Sequence, residues 1–144
     1  MCIRLSNLST ILSSVTELST VVKSGNPYIH IVCGINDAIA GRTLAQFQTD
    51  YLALIQAIKA FGGIPVVTKI AYLGTAASGY VAANVLVTTY NTWVGTLGLK
   101  VVDENTVTTL AGVMNALYTT DGIHPIDFGH AIIANSFLTQ LLKN

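Results

Sequence analysis

Tyr28-Ile29-His30-Ile31-Val32-Cys33-Gly34-Ile35-Asn36-Asp37 is the stretch on which the fold turns. Its first six residues form an almost continuous apolar run, which reads as a short strand covered on both faces, the habit of parallel sheets. Ser24-Gly25-Asn26-Pro27 breaks whatever precedes it. Gly34-Ile35-Asn36-Asp37 then makes a polar turn at the carboxyl end of the strand, where open α/β sheets bind their ligands.

Downstream, Thr43 and Gln46 have the spacing of a capping box, and Leu44, Phe47, Tyr51, Leu54, Ile58 and Phe61 form a helical stripe that stops at Gly62-Gly63. Residues 64 to 70 read as the next strand, with Pro65 tolerable at its start, and residues 71 to 79 as a loop of small side chains. The spacing of Val81, Val85, Leu86, Tyr90, Trp93, Val94 and Leu97 predicts a helix from residue 80 or 81 to about 97 with those side chains inward. Residues 99 to 103 are a third short strand ending in Asp103, and residues 106 to 118 a helical turn or short helix. Asp127 is positioned to cap a last helix whose inner side is Phe128, Ala131, Ile132, Asn135, Phe137, Leu138 and Leu141. Upstream, Ile3, Leu5, Leu8, Leu12, Val15, Leu18 and Val22 mark a helix over residues 3 to 23. Alternating helices and strands with short connections predict one doubly wound α/β domain, three layers around a short parallel sheet.

The composition sets limits on function. Seven Lys and Arg balance seven Asp and Glu, so nothing favours nucleic acid or an anionic membrane as partner. Charged residues are 10% of the 144, hydrophobic ones 51%, and mean hydropathy is +0.59; much of the chain is buried, or some apolar surface has a partner. No apolar run reaches the length of a membrane span, and the N-terminus lacks the compact apolar centre of a signal peptide, so the chain is expected to be soluble, with its compartment undetermined. Cys2 and Cys33 have no metal-ligand spacing; Cys33, in an apolar run, is expected as a buried thiol. His30 and His130 have no metal-ligand company either. No metal or cofactor is implied.

A second stretch carries chemistry. Asp121-Gly122-Ile123-His124-Pro125 sets a carboxylate three residues before a histidine in a proline-closed turn, which can hold the imidazole in one tautomer and leave its other nitrogen free. The plain alternative is a turn aspartate beside a surface histidine. In a parallel sheet this turn and Asn36 can converge at the carboxyl edge, where an uncharged amide can donate to a developing oxyanion. Asp37 would brace the loop. Tyr72 and Tyr80 flank a loop able to line a substrate cleft.

Together, Gly34-Ile35-Asn36-Asp37 and Asp121-Gly122-Ile123-His124-Pro125 resemble, in this order and context, the third and fifth blocks of the SGNH hydrolases, the GDSL esterases and lipases. The resemblance extends from about residue 21 to 142. It implies a flavodoxin-like fold, Asn36 as oxyanion donor, His124 as general base and Asp121 as its orienting carboxylate, with Gly34 and Asp37 supporting the loop. The family's Gly-Asp-Ser, which carries the nucleophile, occurs nowhere in the chain, and neither does the glycine of the second block. Ser78 follows the wrong strand for that role.

The expectation is therefore an N-terminally truncated SGNH-like domain lacking the first strands, a serine esterase acting on small-molecule or carbohydrate esters and inactive alone for want of its nucleophile. Its strand at residues 28 to 33 would be an exposed apolar edge open to self-association. The alternative is a non-catalytic glycan-binding or structural module built on the same fold.

Overall fold

The computed structural model describes Gly25 and residues 27 to 143; the helix expected over residues 3 to 23, and Cys2, lie outside the described residues. Three parallel strands, β1 (Tyr28–Ile31), β2 (Ile64–Thr68) and β3 (Lys100–Val102), form a sheet in the order β1-β2-β3. Ile29 lies opposite Pro65, His30 opposite Val66, and Val67 opposite Val101. Each strand is shorter than the apolar run that encodes it, because pairing stops where the chain bends into the loops at the carboxyl edge.

Between β1 and β2 lie α1 (Ile35–Ile39) and α2 (Leu44–Ala60); α3 (Tyr80–Val94) joins β2 to β3. The capping box at α2 is complete: Thr43 Oγ1 accepts from Gln46 N, and Gln46 Oε1 accepts from Thr43 N. Such a cap is worth ~1 kcal/mol. Phe47, Tyr51, Leu54, Ile55 and Ile58 of α2 are buried against Ile29, Ile31 and Val67 of the sheet and Val87, Tyr90 and Val94 of α3. Phe47 stacks on Tyr90 with ring centroids 4.0 Å apart, and Trp93 stands edge-on to Phe47 and Tyr51. These rings bind α2 to α3, each pair adding ~1 kcal/mol beyond the area it buries.

The buried stripe of α3 differs from the expected one. Ala83, Val87, Tyr90, Asn91 and Val94 face inward, while Val81 and Val85 are 64% and 63% exposed, and the helix stops at Val94 rather than near Leu97. Asparagine 91 is the reason. Its side chain accepts from Ile70 N at 2.7 Å and donates to Ile70 O at 2.8 Å, and Asn84, two turns earlier, does the same for Leu73 at 2.8 and 3.0 Å. Seven helical residues rise roughly 10 Å, as do three extended ones, so the two amides read the loop after β2 at matching intervals. The face that carries them is the buried one, which turns Val81 and Val85 outward.

Residues 106 to 118 are not mainly helical. After one turn, α4 (Asn105–Thr108), the chain forms a hairpin of β4 (Thr109–Leu110) and β5 (Val113–Met114). Ala111 and Gly112 fill its two-residue turn with φ of 51° and 79°, the left-handed pair that such hairpins require. Alanine is unusual there, so the signal in the sequence was Gly112 alone.

The last helix, α5 (Asp127–Leu142), covers the other face of the sheet. Its N-cap is Ile126, and Asp127 is the first helical residue rather than the cap. Its inner face also differs: Gly129 and Ser136 are buried, with Ile132, Ile133, Phe137 and Gln140 half-buried, whereas Phe128, Ala131, Asn135 and Leu138 are exposed. Polar docking sets this rotation, since Gln140 Oε1 accepts from Asp103 N at 2.8 Å and Gln140 Nε2 donates to Asp103 O at 2.9 Å. Two helices and α1 on one face and α5 on the other make the three layers. Among the described residues no helix is long and apolar enough to cross a membrane.

His30 lies between β1 and α5, bonded to Thr68 Oγ1 and with its ring 4.3 Å from that of Phe137. Burial pushes its pKa down from 6.5 to about 4. In that interval the unfolded chain binds the proton and the folded chain does not, so stability is full above the upper value and falls as pH drops through the interval. The urea midpoint is therefore expected to decline from pH 7.5 to pH 4.5, and His30→Gln to decline distinctly less; parallel curves would show that His30 is not the group concerned.

Candidate active site

Asp121 is the centre of the turn at residues 119 to 125. Its Oδ1 accepts from Ile123 N and His124 N, each at 2.8 Å, and from Thr119 Oγ1 at 3.2 Å; its Oδ2 meets His124 Nδ1 at 2.7 Å. The two backbone bonds make an Asx-type turn, and they lift the imidazole onto the second oxygen. The backbone N–H of His124, then its ring, then the N–H of Ile123 hold the Asp121 carboxyl well below the usual carboxylate range. The carboxylate is thus a fixed acceptor facing Nδ1; a neutral imidazole held this way carries its proton on Nδ1 and leaves Nε2 free to accept one. The side chains are open to solvent, 72% exposed for His124 and 50% for Asp121.

The turn is seated by backbone. Gly74 N donates to Gly122 O at 2.8 Å, and Gly122 N donates to Thr119 Oγ1 at 3.0 Å. Gly122 has φ of 76°, and a Cβ there would come within 2.5 Å of Ala77 N. Thr119 pairs with Pro125, and Ile126 N donates to Tyr118 O at 2.8 Å, tying the turn to the start of α5.

Asn36 is the second residue of α1, at the carboxyl end of β1, with its side chain exposed. Gly34 makes the approach: φ is 122°, and a Cβ would stand 2.4 Å from Ile70 Cδ1 and 2.9 Å from Phe47. Only glycine lets the chain pass between those side chains and turn into α1. Asp37 is fully buried; its Oδ1 accepts from Arg42 Nη1 at 2.6 Å, while Arg42 Nη2 reaches Asp50 Oδ2 of α2 at 2.7 Å. The other Asp37 oxygen and the Tyr51 hydroxyl are buried without a hydrogen-bond partner among the described residues.

Cys33 and Ile35, flanking the glycine turn, and Ile123, beside His124, are each partly buried against the hydrophobic core. Cys33 is a free thiol that burial, and then the Asp37 charge, push well above its ordinary pKa, which makes it a poor nucleophile. Ser78 follows Ala77, the residue that packs on Gly122, yet no hydrogen bond joins it to His124 among the described residues.

This architecture matches known structures. A GDSL-like lipase from Bacteroides thetaiotaomicron superposes with a TM-score of 0.74 at 17% identity, covering 95% of this chain and 71% of that one. The chain has the SGNH-hydrolase fold. The same fold relates it to a catalytic mutant of an acetylxylan esterase from Geobacillus stearothermophilus (TM-score 0.63, 16% identity, 96% of this chain and 68% of that one). It also relates it to the OSK domain of Drosophila Oskar (TM-score 0.67, 19% identity, 89% and 70%). No protein-family model and no curated protein matches the sequence. At these identities the likeness concerns the SGNH fold alone.

Sequence reasoning missed the braces of the site: Thr119 under Asp121, Gly74 under Gly122, and Arg42 under Asp37. Thr119 had a faint signal, a hydroxyl two residues before a turn aspartate. Asn84 and Asn91 had a clearer one, since asparagine inside a helix is unfavourable unless its amide is used.

Proposed function

We propose that this chain is the oxyanion and base portion of an SGNH-type ester hydrolase. His124 is the general base, Asp121 orients it, Asn36 donates its side-chain NH2 to the oxyanion, and Gly34 and Asp37 hold the Asn36 turn. The observation that carries this reading is the carboxylate fixed by backbone N–H groups and bonded to His124 Nδ1 at 2.7 Å. The attacking serine has no Gly-Asp-Ser candidate in these residues, so the reading places it on sequence outside them, and the chain alone is expected to be inactive.

A fluorophosphonate probe tests this. The chain alone should remain unlabelled. Joined to a strand and helix segment bearing Gly-Asp-Ser, it should label, and His124→Ala should slow that labelling by on the order of 10⁶-fold. No labelling after restoration would refute the assignment.

A second reading, a non-catalytic glycan-binding or structural module, is favoured by one feature: no hydroxyl is hydrogen-bonded to His124 among the described residues. In that reading the strand at residues 28 to 33 serves self-association. It predicts cooperative melting, concentration-dependent sedimentation and no labelling under any condition.

A further inference from the structure

We infer that the outer face of α5 is the self-complementary interface of a weak antiparallel dimer of this chain. The helix is apolar on two opposite sides. Ile132, Ile133 and Phe137 are half-buried on the sheet side, while Phe128, Leu138 and Leu142 are 56%, 57% and 81% exposed. A single exposed leucine is ordinary, but these three belong to one row. Phe128, Ala131, Asn135, Leu138 and Leu142, all exposed, follow one another at steps of three, four, three and four residues, the spacing by which one helix packs along another. A helix apolar on both sides is a helix covered on both.

Three features make a second copy the occupant. First, the row is symmetric about Asn135. Phe128 and Leu142 lie seven residues to either side of it, and Ala131 and Leu138 lie four and three. A two-fold axis at Asn135 therefore sets Phe128 of each copy beside Leu142 of the other, and Ala131 beside Leu138, every contact being made twice. Small then meets large, whereas a parallel pair would crowd Leu138 on Leu138 and leave a gap between two alanines. Second, the one polar residue of the row sits on that axis. An amide carries both donors and an acceptor, so two copies of Asn135 can bond to each other, and a polar residue at such a position fixes register at a cost in stability.

Third, the charges agree. Between Asp127 and Lys143 the helix contains no Asp, Glu, Lys or Arg. Asp127 and Lys143 are both exposed and stand eight residues to either side of Asn135, so the antiparallel pair brings each aspartate toward the lysine of the other copy. A parallel pair would bring like charges together. A membrane surface would call for basic residues along the flanks of the row, and Lys143 alone is there. The helix is 16 residues, or roughly 24 Å long and 10 Å wide, which offers less than the ~800 Å² per partner of a standard interface. The dimer is therefore weak and reversible. The inference does not rest on the ester-hydrolase reading, and it uses a different surface from the strand at residues 28 to 33.

Sedimentation equilibrium of the full chain from about 10 μM to about 1 mM tests it, with a dimer expected at a Kd on the order of 100 μM. Leu138→Lys and Ala131→Glu, both surface changes, should keep the wild-type urea midpoint at the lowest concentration, and each should weaken association more than tenfold. Mixed in equal amounts, the two variants should associate again near the wild-type Kd, because the antiparallel axis sets the new ammonium group against the new carboxylate. Asn135→Leu, which adds no charge, should tighten the dimer by about tenfold. A wild-type chain that stays monomeric, a Leu138→Lys variant that dimerises like wild type through another surface, a mixture that fails to associate, or an Asn135→Leu variant that weakens the dimer would each overturn the proposal.

Discussion

In the serine-restored protein, Asp121→Asn lowers the rate of fluorophosphonate labelling by on the order of 10⁴-fold while leaving the fold intact. The substitution keeps one oxygen, so the bonds from Ile123 N and His124 N to Oδ1 can persist. What changes is the atom facing the ring. In place of Oδ2 at 2.7 Å from His124 Nδ1 stands an NH2 group, which donates and so obliges Nδ1 to accept. The ring proton moves to Nε2, the atom that must be free to take the serine proton. The loss should be flat over the pH range in which wild-type labelling is measured, because the Asp121 carboxyl is held well below the usual range and stays ionised throughout. A variant that labels within about tenfold of wild type would mean that His124 is oriented by something other than Asp121.

The second large effect is on the scaffold. Gly122→Ala should cost roughly 3 kcal/mol or more, the sum of a left-handed non-glycine residue and an overpacked contact. The new methyl would meet Ala77 N at 2.5 Å and Gly74 O at 2.8 Å, both backbone atoms of the loop that seats the turn. Neither is the end of a flexible side chain, so the two loops must part. Gly62→Ala is the control: its φ is 81°, close to that of Gly122, but a Cβ there meets nothing within 4 Å, and the expected cost is about 1 kcal/mol from conformation alone. Urea denaturation of both variants separates the two terms. Equal costs would show that the loop around residues 74 to 77 yields freely, and that the Asp121–His124 turn is not held by it. If the turn is held, NMR of Gly122→Ala should show the His124 ring signals displaced even where the chain remains folded.

The elements easiest to read were those whose local and tertiary demands agree. For α2, the Thr43–Gln46 box, the stripe through Tyr51 and Ile58 and the Gly62-Gly63 stop all require the same helix. In α3 and α5, valine, isoleucine and threonine on every side gave the apolar pattern little contrast. Single polar anchors then chose the rotation: Asn91 and Asn84 for α3, Gln140 for α5. The hairpin at residues 109 to 114 escaped notice because Ala111 occupies a left-handed position usually taken by glycine or asparagine.

The sequence by itself determined that this is a parallel α/β domain with Asp121 and His124 in one turn and Asn36 at a strand end. Strand periodicity, caps and a three-residue spacing are local properties, legible without coordinates. Only the tertiary structure decided which face each helix buries and what seats the Asp121 turn on Gly74 and Ala77. Those outcomes depend on contacts between residues far apart in the chain, where one buried amide or one glycine without a Cβ outweighs the hydrophobic pattern around it.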